Sequence, residues 1–141
     1  MIAIREADDR DAAILAELTT QLGYPSTSTQ IAERLPLVRE RGTAIFVAEL
    51  DGRVVAWIGV RQDLCLEFGA YSEIVGLVVH ESARGNRVGE QLTERAESWA
   101  RMRGHTRLRV RSNVVRERAH RFYERLGFKL AKRQAVFEKS I

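Results

Sequence analysis

The stretch at residues 78–92 reads Val78-Val79-His80-Glu81-Ser82-Ala83-Arg84-Gly85-Asn86-Arg87-Val88-Gly89-Glu90-Gln91-Leu92. It starts at the end of an apolar run, continues as a basic turn that contains glycine, and leads directly into an amphipathic helical pattern. A strand, a turn and a helix in this order direct the unpaired N–H groups of the first helical turn, together with positive charge, at one point. Such a point suits a phosphate group. The stretch therefore predicts a strand-to-helix crossover with an anion site at its turn.

The turn at residues 84–89 resembles the loop that binds the pyrophosphate of acetyl-CoA in the GNAT superfamily of N-acetyltransferases, which reads Gln/Arg-x-x-Gly-x-Gly/Ala. Arg84 and Gly89 match its first and last positions, whereas Arg87 stands where the family has its middle glycine. The substitution keeps the backbone N–H and changes the preferred torsion, because glycine adopts conformations that other residues avoid. The resemblance implies that acetyl-CoA contacts Arg84, Gly85, Asn86, Arg87, Val88 and Gly89.

A second block resembles the same family. Residues 113–128 read Asn113-Val114-Val115-Arg116-Glu117-Arg118-Ala119-His120-Arg121-Phe122-Tyr123-Glu124-Arg125-Leu126-Gly127-Phe128, and the GNAT pattern is Asn-…-Ala-x-x-Phe-Tyr-x-x-x-Gly-Phe. The block begins 24 residues after Gly89, in the order that the family requires. The resemblance covers residues 43–128, whereas residues 1–42 match only as two helices after a strand. In the family, that first region shapes the acceptor site.

The resemblance implies direct transfer of an acetyl group from acetyl-CoA to a primary amine. In the family, the pantetheine arm pairs with the backbone of the strand before the loop, which here ends at Leu77-Val78-Val79. Tyr123 corresponds to the general acid that protonates the departing CoA thiolate, and Asn113 resembles an asparagine that contacts the cofactor. The alternative for Tyr123 is a core tyrosine on an apolar helix face, and the alternative for Asn113 is a helix N-cap.

Glu73 is the candidate general base, because attack on a thioester requires a neutral amine and alkyl amines have pKa values of about 10. It lies among Tyr71, Ile74 and Val75 on the strand that leads to the turn, where a carboxylate is costly unless it is paired or used. Some GNAT relatives that acetylate proteins carry a glutamate at a similar place. The alternative is a structural ion pair with an arginine of a neighbouring strand, such as Arg109.

Composition limits the class of protein. The chain has 141 residues, of which 45% are hydrophobic and 30% charged, and this predicts one globular domain over residues 1–141. Its apolar runs are far shorter than the roughly 20 residues of a membrane span, and its first residues turn acidic, unlike a signal peptide. One cysteine, Cys65, and three histidines provide neither a disulfide framework nor the spacing of a metal site. We therefore expect a reduced cytoplasmic protein that holds no metal, and the GNAT resemblance implies that acetyl-CoA is its cosubstrate.

Charge is distributed unevenly along the chain. Residues 1–83 carry 7 Lys and Arg against 13 Asp and Glu, and residues 84–141 carry 16 against 6. The basic half suits the phosphates of CoA and the acidic half suits a cationic amine, but a basic segment is also typical of nucleic-acid binding. No helix-turn-helix or RNP-type aromatic pattern accompanies the charge, which argues against that alternative. A third hypothesis is that the protein binds acyl-CoA as a sensor and catalyses no reaction.

The acceptor is less well determined by the sequence than the donor. A small-molecule amine is favoured because the chain is compact and has no added segment for docking a peptide. The alternative is the amine of a protein lysine or N-terminus. The sequence leaves the oligomeric state open, a homodimer included.

Periodicity and turn residues predict the order β-α-α-β-β-β-α-β-α-β, an α/β fold of the GNAT type in which helices flank a central mixed sheet. A parallel crossover is expected around the Arg84 turn. Pro36 predicts a kink or a split in the second helix. Residues 64–70 either continue a strand or form a loop, and Gln134 to Lys139 form the last predicted strand.

Overall fold

The computed structural model describes residues 1–112 and 117–141 of the chain. The described residues group into two compact units, Met1–Val110 and Arg111–Ile141. All the strands that the described residues form lie in the first unit. The strands are β1 (Ile2–Glu6), β2 (Thr43–Leu50), β3 (Arg53–Cys65), β4 (Gly69–Val79) and β5 (Leu108–Val110), and the helices are α1 (Ala12–Leu22), α2 (Ser28–Glu40), α3 (Val88–Met102) and α4 (Glu117–Arg125).

The sheet is mixed, as predicted. Its strand order is β1-β2-β3-β4-β5, with antiparallel pairing from β1 to β4 and parallel pairing between β4 and β5. A parallel pair needs a crossover, and α3 supplies it between β4 and β5. The predicted crossover after the Arg84 turn is thereby confirmed.

Helices cover both faces of the sheet. Val47 and Trp57 belong to an apolar cluster with Leu15 of α1 and Leu35 of α2, so these two helices lie on one face. Adjacent residues of a strand point to opposite faces, and Phe46 receives the guanidinium of an α3 residue, Arg95, 4.9 Å from its ring centroid. The buried residues of α3 include Val88, Leu92, Ala96 and Trp99, which recur at helical spacing.

Local signals fix most element boundaries in the first unit. Thr27 forms a capping box with Gln30 at the start of α2, and the Asp51-Gly52 turn has positive φ at both residues, as a two-residue hairpin between β2 and β3 requires. Of the kink or split predicted at Pro36, the split does not occur, because Ser28–Glu40 runs as one helix with the proline inside. The segment 64–70 forms the end of β3, a turn and the start of β4.

The last predicted strand is also wrong. Residues 134–139 carry no regular secondary structure, and Val136 and Phe137 are 83% and 92% exposed. The strand-forming residues Val136 and Phe137 are a local signal, whereas a strand becomes stable only when a neighbour pairs with it. None of the helices in the described residues has the length and apolar character needed to span a membrane.

Candidate active site

The turn between β4 and α3 is anchored at both ends and exposed in the middle. A short 3-10 helix, Glu81–Ala83, follows β4, and the loop 84–87 that comes next is exposed. The Asn86 side-chain amide donates a hydrogen bond to the Ala83 carbonyl at 3.0 Å. Val88, the first residue of α3, is 2% exposed. The loop residues are therefore exposed to solvent, while buried residues at both ends hold the loop in position.

Two residues of this loop have left-handed backbone conformations. Gly85 has φ 87°, and Arg87 has φ 61° and ψ 20°. For a residue other than glycine this conformation costs about 1–2 kcal/mol, so Arg87 adopts a torsion that favours glycine, the residue that the GNAT pattern has at this position. The Arg87 Nε donates to Glu90 Oε2 at 2.6 Å, and this hydrogen bond raises the pKa of the guanidinium. Although Arg87 departs from the GNAT pattern, the turn still contains two residues with positive φ, Gly85 and Arg87.

The α3 helix begins without a side-chain cap. Arg87, which precedes it, makes no capping hydrogen bond, whereas Thr27 caps α2 and Asp8 caps the short helix before α1. The first N–H groups of a helix have no partner within the helix, and 15 residues of α3 add the positive end of a dipole. Exposed Arg84 lies in the same loop. These groups fit a diphosphate.

The part of β4 that leads to this loop has one open edge. On one side, residues 77–79 pair with residues 56–58 of β3. On the other side, the pairing with β5 covers only residues 72–74. In the part of the chain that the structure describes, no strand pairs with that second edge at residues 75–79. Backbone groups at an open edge can pair with an extended ligand that carries amides.

A β-bulge interrupts β4 just before that segment. Gly59 pairs with Gly76 and Val60 pairs with Ile74, which leaves Val75 as an extra residue of β4. Bulges bend a strand and often lie next to active sites. The sequence analysis did not anticipate this bulge, although isolated glycines within two strand patterns are the signal that indicates one.

Glu73 lies in β4 and is 2% exposed. Its Oε2 accepts a hydrogen bond from Arg61 Nη2 at 2.9 Å, and the two residues are direct neighbours across β3 and β4. The ion pair with a neighbouring strand that the sequence suggested is present, but Arg109 as its partner was wrong. Arg109 stands opposite Glu73 on β5, and its guanidinium lies over aromatic rings instead.

Two further residues complete a polar cluster around this ion pair. Tyr71 donates a hydrogen bond from its hydroxyl to Asp63 Oδ2 at 3.0 Å, and Asp63 Oδ2 lies 3.6 Å from Arg61 Nη2. Burial raises the pKa of Tyr71, and the hydrogen bond to Asp63 adds to the rise. We call Arg61, Asp63, Tyr71 and Glu73 the β3–β4 polar cluster.

Tyr123 belongs to the second unit and lies in α4. Its half-buried ring meets Phe122 and Phe128 edge to face, with centroids 5.1 and 5.5 Å away. Gly127 follows the helix with φ 92°, and the Phe128 N–H donates to the Tyr123 carbonyl at 3.0 Å. The Phe-Tyr-x-x-x-Gly-Phe block is thus a folded aromatic cluster. Asn113, the other predicted cofactor contact of this block, lies outside the described residues.

Comparison with known proteins decides the family. The model of the acetyltransferase (GNAT) family matches residues 11–128. The chain belongs to the GNAT family. It is an acyltransferase of the N-acetyltransferase type, a family that generally uses acetyl-CoA.

Relatives of this GNAT chain have known activities. The aminoalkylphosphonate N-acetyltransferase of Salmonella typhimurium is 34% identical over 131 residues, which cover 90% of this chain and 82% of that protein. The IAA acetyltransferase of Azospirillum brasilense is 30% identical over 128 residues, with 88% and 81% covered. A solved structure of an aminoglycoside 6'-N-acetyltransferase from Acinetobacter baumannii superposes with a TM-score of 0.86 at 17% identity, covering 100% of this chain and 99% of that one. This last likeness supports the fold alone.

Two histidines of this GNAT protein have polar partners. His105 Nδ1 lies 2.6 Å from Ser72 Oγ, and His80 Nε2 lies 3.6 Å from Glu17 Oε1. Cys65 is half-buried at the end of β3. Among the residues that the structure describes, no three His, Cys, Asp or Glu side chains are grouped as they are in a metal site.

Proposed function

We propose that this GNAT protein transfers an acetyl group from acetyl-CoA to the primary amine of a small molecule, by direct attack of the amine on the thioester. The observation that supports this most is the turn after β4. It combines an uncapped helix start, two left-handed residues and exposed arginines at one point. Backbone N–H groups and guanidinium groups in this arrangement bind phosphates.

The proposed contacts with acetyl-CoA lie in two places. The loop and helix start at residues 84–89 bind the diphosphate, and the open edge of β4 at residues 77–79 pairs with the amides of the pantetheine arm. A backbone N–H near Leu77 then stabilises the oxyanion that forms on the acetyl group. We assign Asn113 to the same cofactor contact, on the strength of the resemblance to the family.

Tyr123 is the proposed general acid. Expulsion of CoA leaves a thiolate, and a positioned phenol can supply the proton that this group takes up. The edge-to-face contacts with Phe122 and Phe128 hold the ring, so that the hydroxyl keeps one orientation. The family pattern around Tyr123 supports this assignment.

Glu73 is the proposed general base. Since it is 2% exposed and bound to Arg61, it accepts the proton of the amine through a water molecule. We expect Glu73→Gln to lower kcat/KM at pH 7 by about tenfold or more. The deficit should shrink as the pH approaches about 10, where the amine is neutral without help. A deficit of equal size at every pH would assign Glu73 to the ion pair alone.

A small amine is the proposed acceptor. The acidic balance of residues 1–83 attracts a cation, and a relative that is 34% identical is an aminoalkylphosphonate N-acetyltransferase. The test is an acceptor panel at fixed acetyl-CoA, read as release of the CoA thiol. If calorimetry shows that the protein does not bind acetyl-CoA, the proposed function is wrong.

A single loop substitution tests the acetyl-CoA site. Gly85 has φ 87° and open space around it, so that alanine fits sterically but strains the backbone by about 1–2 kcal/mol. We expect Gly85→Ala to weaken acetyl-CoA binding by about tenfold, because relief of that strain moves the N–H groups away from the diphosphate. Isothermal titration calorimetry measures the effect.

Gly104 provides the matched control for this substitution. It has φ 75°, no atom within 4 Å of an added Cβ, and a position beyond the opposite end of α3. Gly104→Ala should therefore lower thermal stability by a similar amount and leave the Kd of acetyl-CoA unchanged. Equal losses of affinity in both variants would mean that general destabilisation, not the loop, controls binding.

A further inference from the structure

Arg109 of β5 and Arg107, which directly precedes β5, are held over aromatic rings beside the β3–β4 polar cluster. The Arg107 guanidinium carbon lies 4.1 Å from the ring centroid of Phe68. The Arg109 guanidinium carbon lies 5.7 Å from Phe68 and 5.5 Å from the ring of Tyr71. Cation–π contact fixes a guanidinium plane and leaves its N–H edge available to a ligand. We call Arg107 and Arg109 the β5 arginine pair.

Carboxylates neutralise the positive charge of Arg61 but not that of the β5 arginine pair in the described residues. Arg61 lies 2.9 Å from a Glu73 oxygen and 3.6 Å from an Asp63 oxygen. Within the described residues, by contrast, no carboxylate lies within 4.0 Å of either member of the β5 arginine pair. Two fixed guanidinium groups without a carboxylate partner form a recognition element for an oxyanion.

The β5 arginine pair also lies on the proposed reaction path. Arg109 is in register with Glu73, and the guanidinium of Arg107 lies over the same Phe68 ring as that of Arg109. A strand rises about 3.3 Å per residue, so Glu73 and Arg109 beside it lie roughly 13 Å along the strand direction from Leu77, where the acetyl group is proposed to bind. An arginine side chain and a short aminoalkyl acid together span this gap.

We infer that Arg107 and Arg109 bind an oxyanion group of the acceptor, which is therefore a small amine that also carries an acid group. This inference rests on the proposed function and adds a substrate class and a specificity site to it. A phosphonate and a carboxylate both present anionic oxygen atoms, which are the groups that the two arginines would bind. Arg109 is the principal contact because it is in register with the proposed base.

The test compares acceptors that differ in the acid group, at saturating acetyl-CoA. The probes are 2-aminoethylphosphonate, β-alanine and propylamine, and the readout is release of the CoA thiol. We expect kcat/KM for the better acid to exceed that for propylamine by about tenfold or more, since a charge-assisted hydrogen bond has that strength. The two acids together show whether the tetrahedral or the planar group is preferred.

Arg109→Gln then assigns the effect to the site. We expect it to lower kcat/KM for the preferred acid by about tenfold, mainly through KM, and to leave propylamine turnover and the Kd of acetyl-CoA unchanged. Methylphosphonate, which has an acid group and no amine, should inhibit the parent competitively against the acceptor. It should not inhibit Arg109→Gln. Arg101→Gln is the matched control, because Arg101 is 74% exposed on α3 and pairs with Glu97.

The outcomes separate this inference from the proposed function. If propylamine and both acids are acetylated with equal efficiency, or if Arg109→Gln affects all three equally, the acid site is wrong and the acetyltransferase stands. If Arg109→Gln weakens acetyl-CoA binding instead, the arginines contact the donor and the inference is overturned. If the parent binds no acetyl-CoA, both proposals are wrong.

Discussion

Tyr123→Phe should lower kcat by about a hundredfold or more, because general acid catalysis contributes 10²–10⁴-fold to many enzymes. The substitution removes one oxygen atom and keeps the ring that meets Phe122 and Phe128 edge to face. The fold of the aromatic cluster and the Kd of acetyl-CoA should therefore stay as they are in the parent. Steady-state kinetics with the best amine of the panel, together with calorimetry of acetyl-CoA binding, measure the two quantities.

Phe122→Leu is the control for packing in the same cluster. It disturbs a ring that contacts Tyr123 at 5.1 Å and leaves the phenol in place. We expect a small loss of kcat in this variant, well below that of Tyr123→Phe. If Tyr123→Phe is as active as the parent, the acid assignment fails. If both variants lose activity equally, Tyr123 contributes packing and not a proton.

The sequence predicted the parts of the site that depend on local pattern. The strand, turn and helix at residues 78–92 are visible as an apolar run, a glycine turn and a helical stripe, and each is decided within a few residues. The left-handed conformation at Arg87 was not predicted, because arginine disfavours it and the sequence showed only that a residue other than glycine stands at a glycine position of the family pattern.

Features that depend on pairing between distant residues were not predictable in this way. The partner of Glu73 is set by the register of β3 against β4, and a shift of that register would place another residue opposite it. The bulge at Val75 arises from the same pairing. The predicted strand at 134–139 failed for a related reason, since the strand-forming residues Val136 and Phe137 do not by themselves supply a neighbouring strand.

Arg61→Gln should lower the free energy of unfolding by about 3 kcal/mol, the lower end of the range for breaking a buried ion pair. Glu73 is 2% exposed, so its carboxylate stays buried after the guanidinium of Arg61 is removed. Glu73→Gln should cost less, about 1–2 kcal/mol. The arginine that it leaves behind has a side chain 41% exposed and retains Asp63 at 3.6 Å. Urea unfolding at neutral pH measures both changes.

The asymmetry between the two variants distinguishes a buried charge from a surface contact. If Arg61 and Glu73 formed an ordinary exposed pair, each substitution would cost less than about 1 kcal/mol, as we expect for Arg101→Gln in the exposed pair with Glu97. The double variant Arg61→Gln/Glu73→Gln should recover part of the loss, because two amides replace the buried charge. A double variant no more stable than Arg61→Gln would show that the loss does not come from the buried carboxylate.

Recovery of stability without recovery of activity would separate the ion pair from the proposed base, since glutamine at position 73 cannot take a proton from the amine.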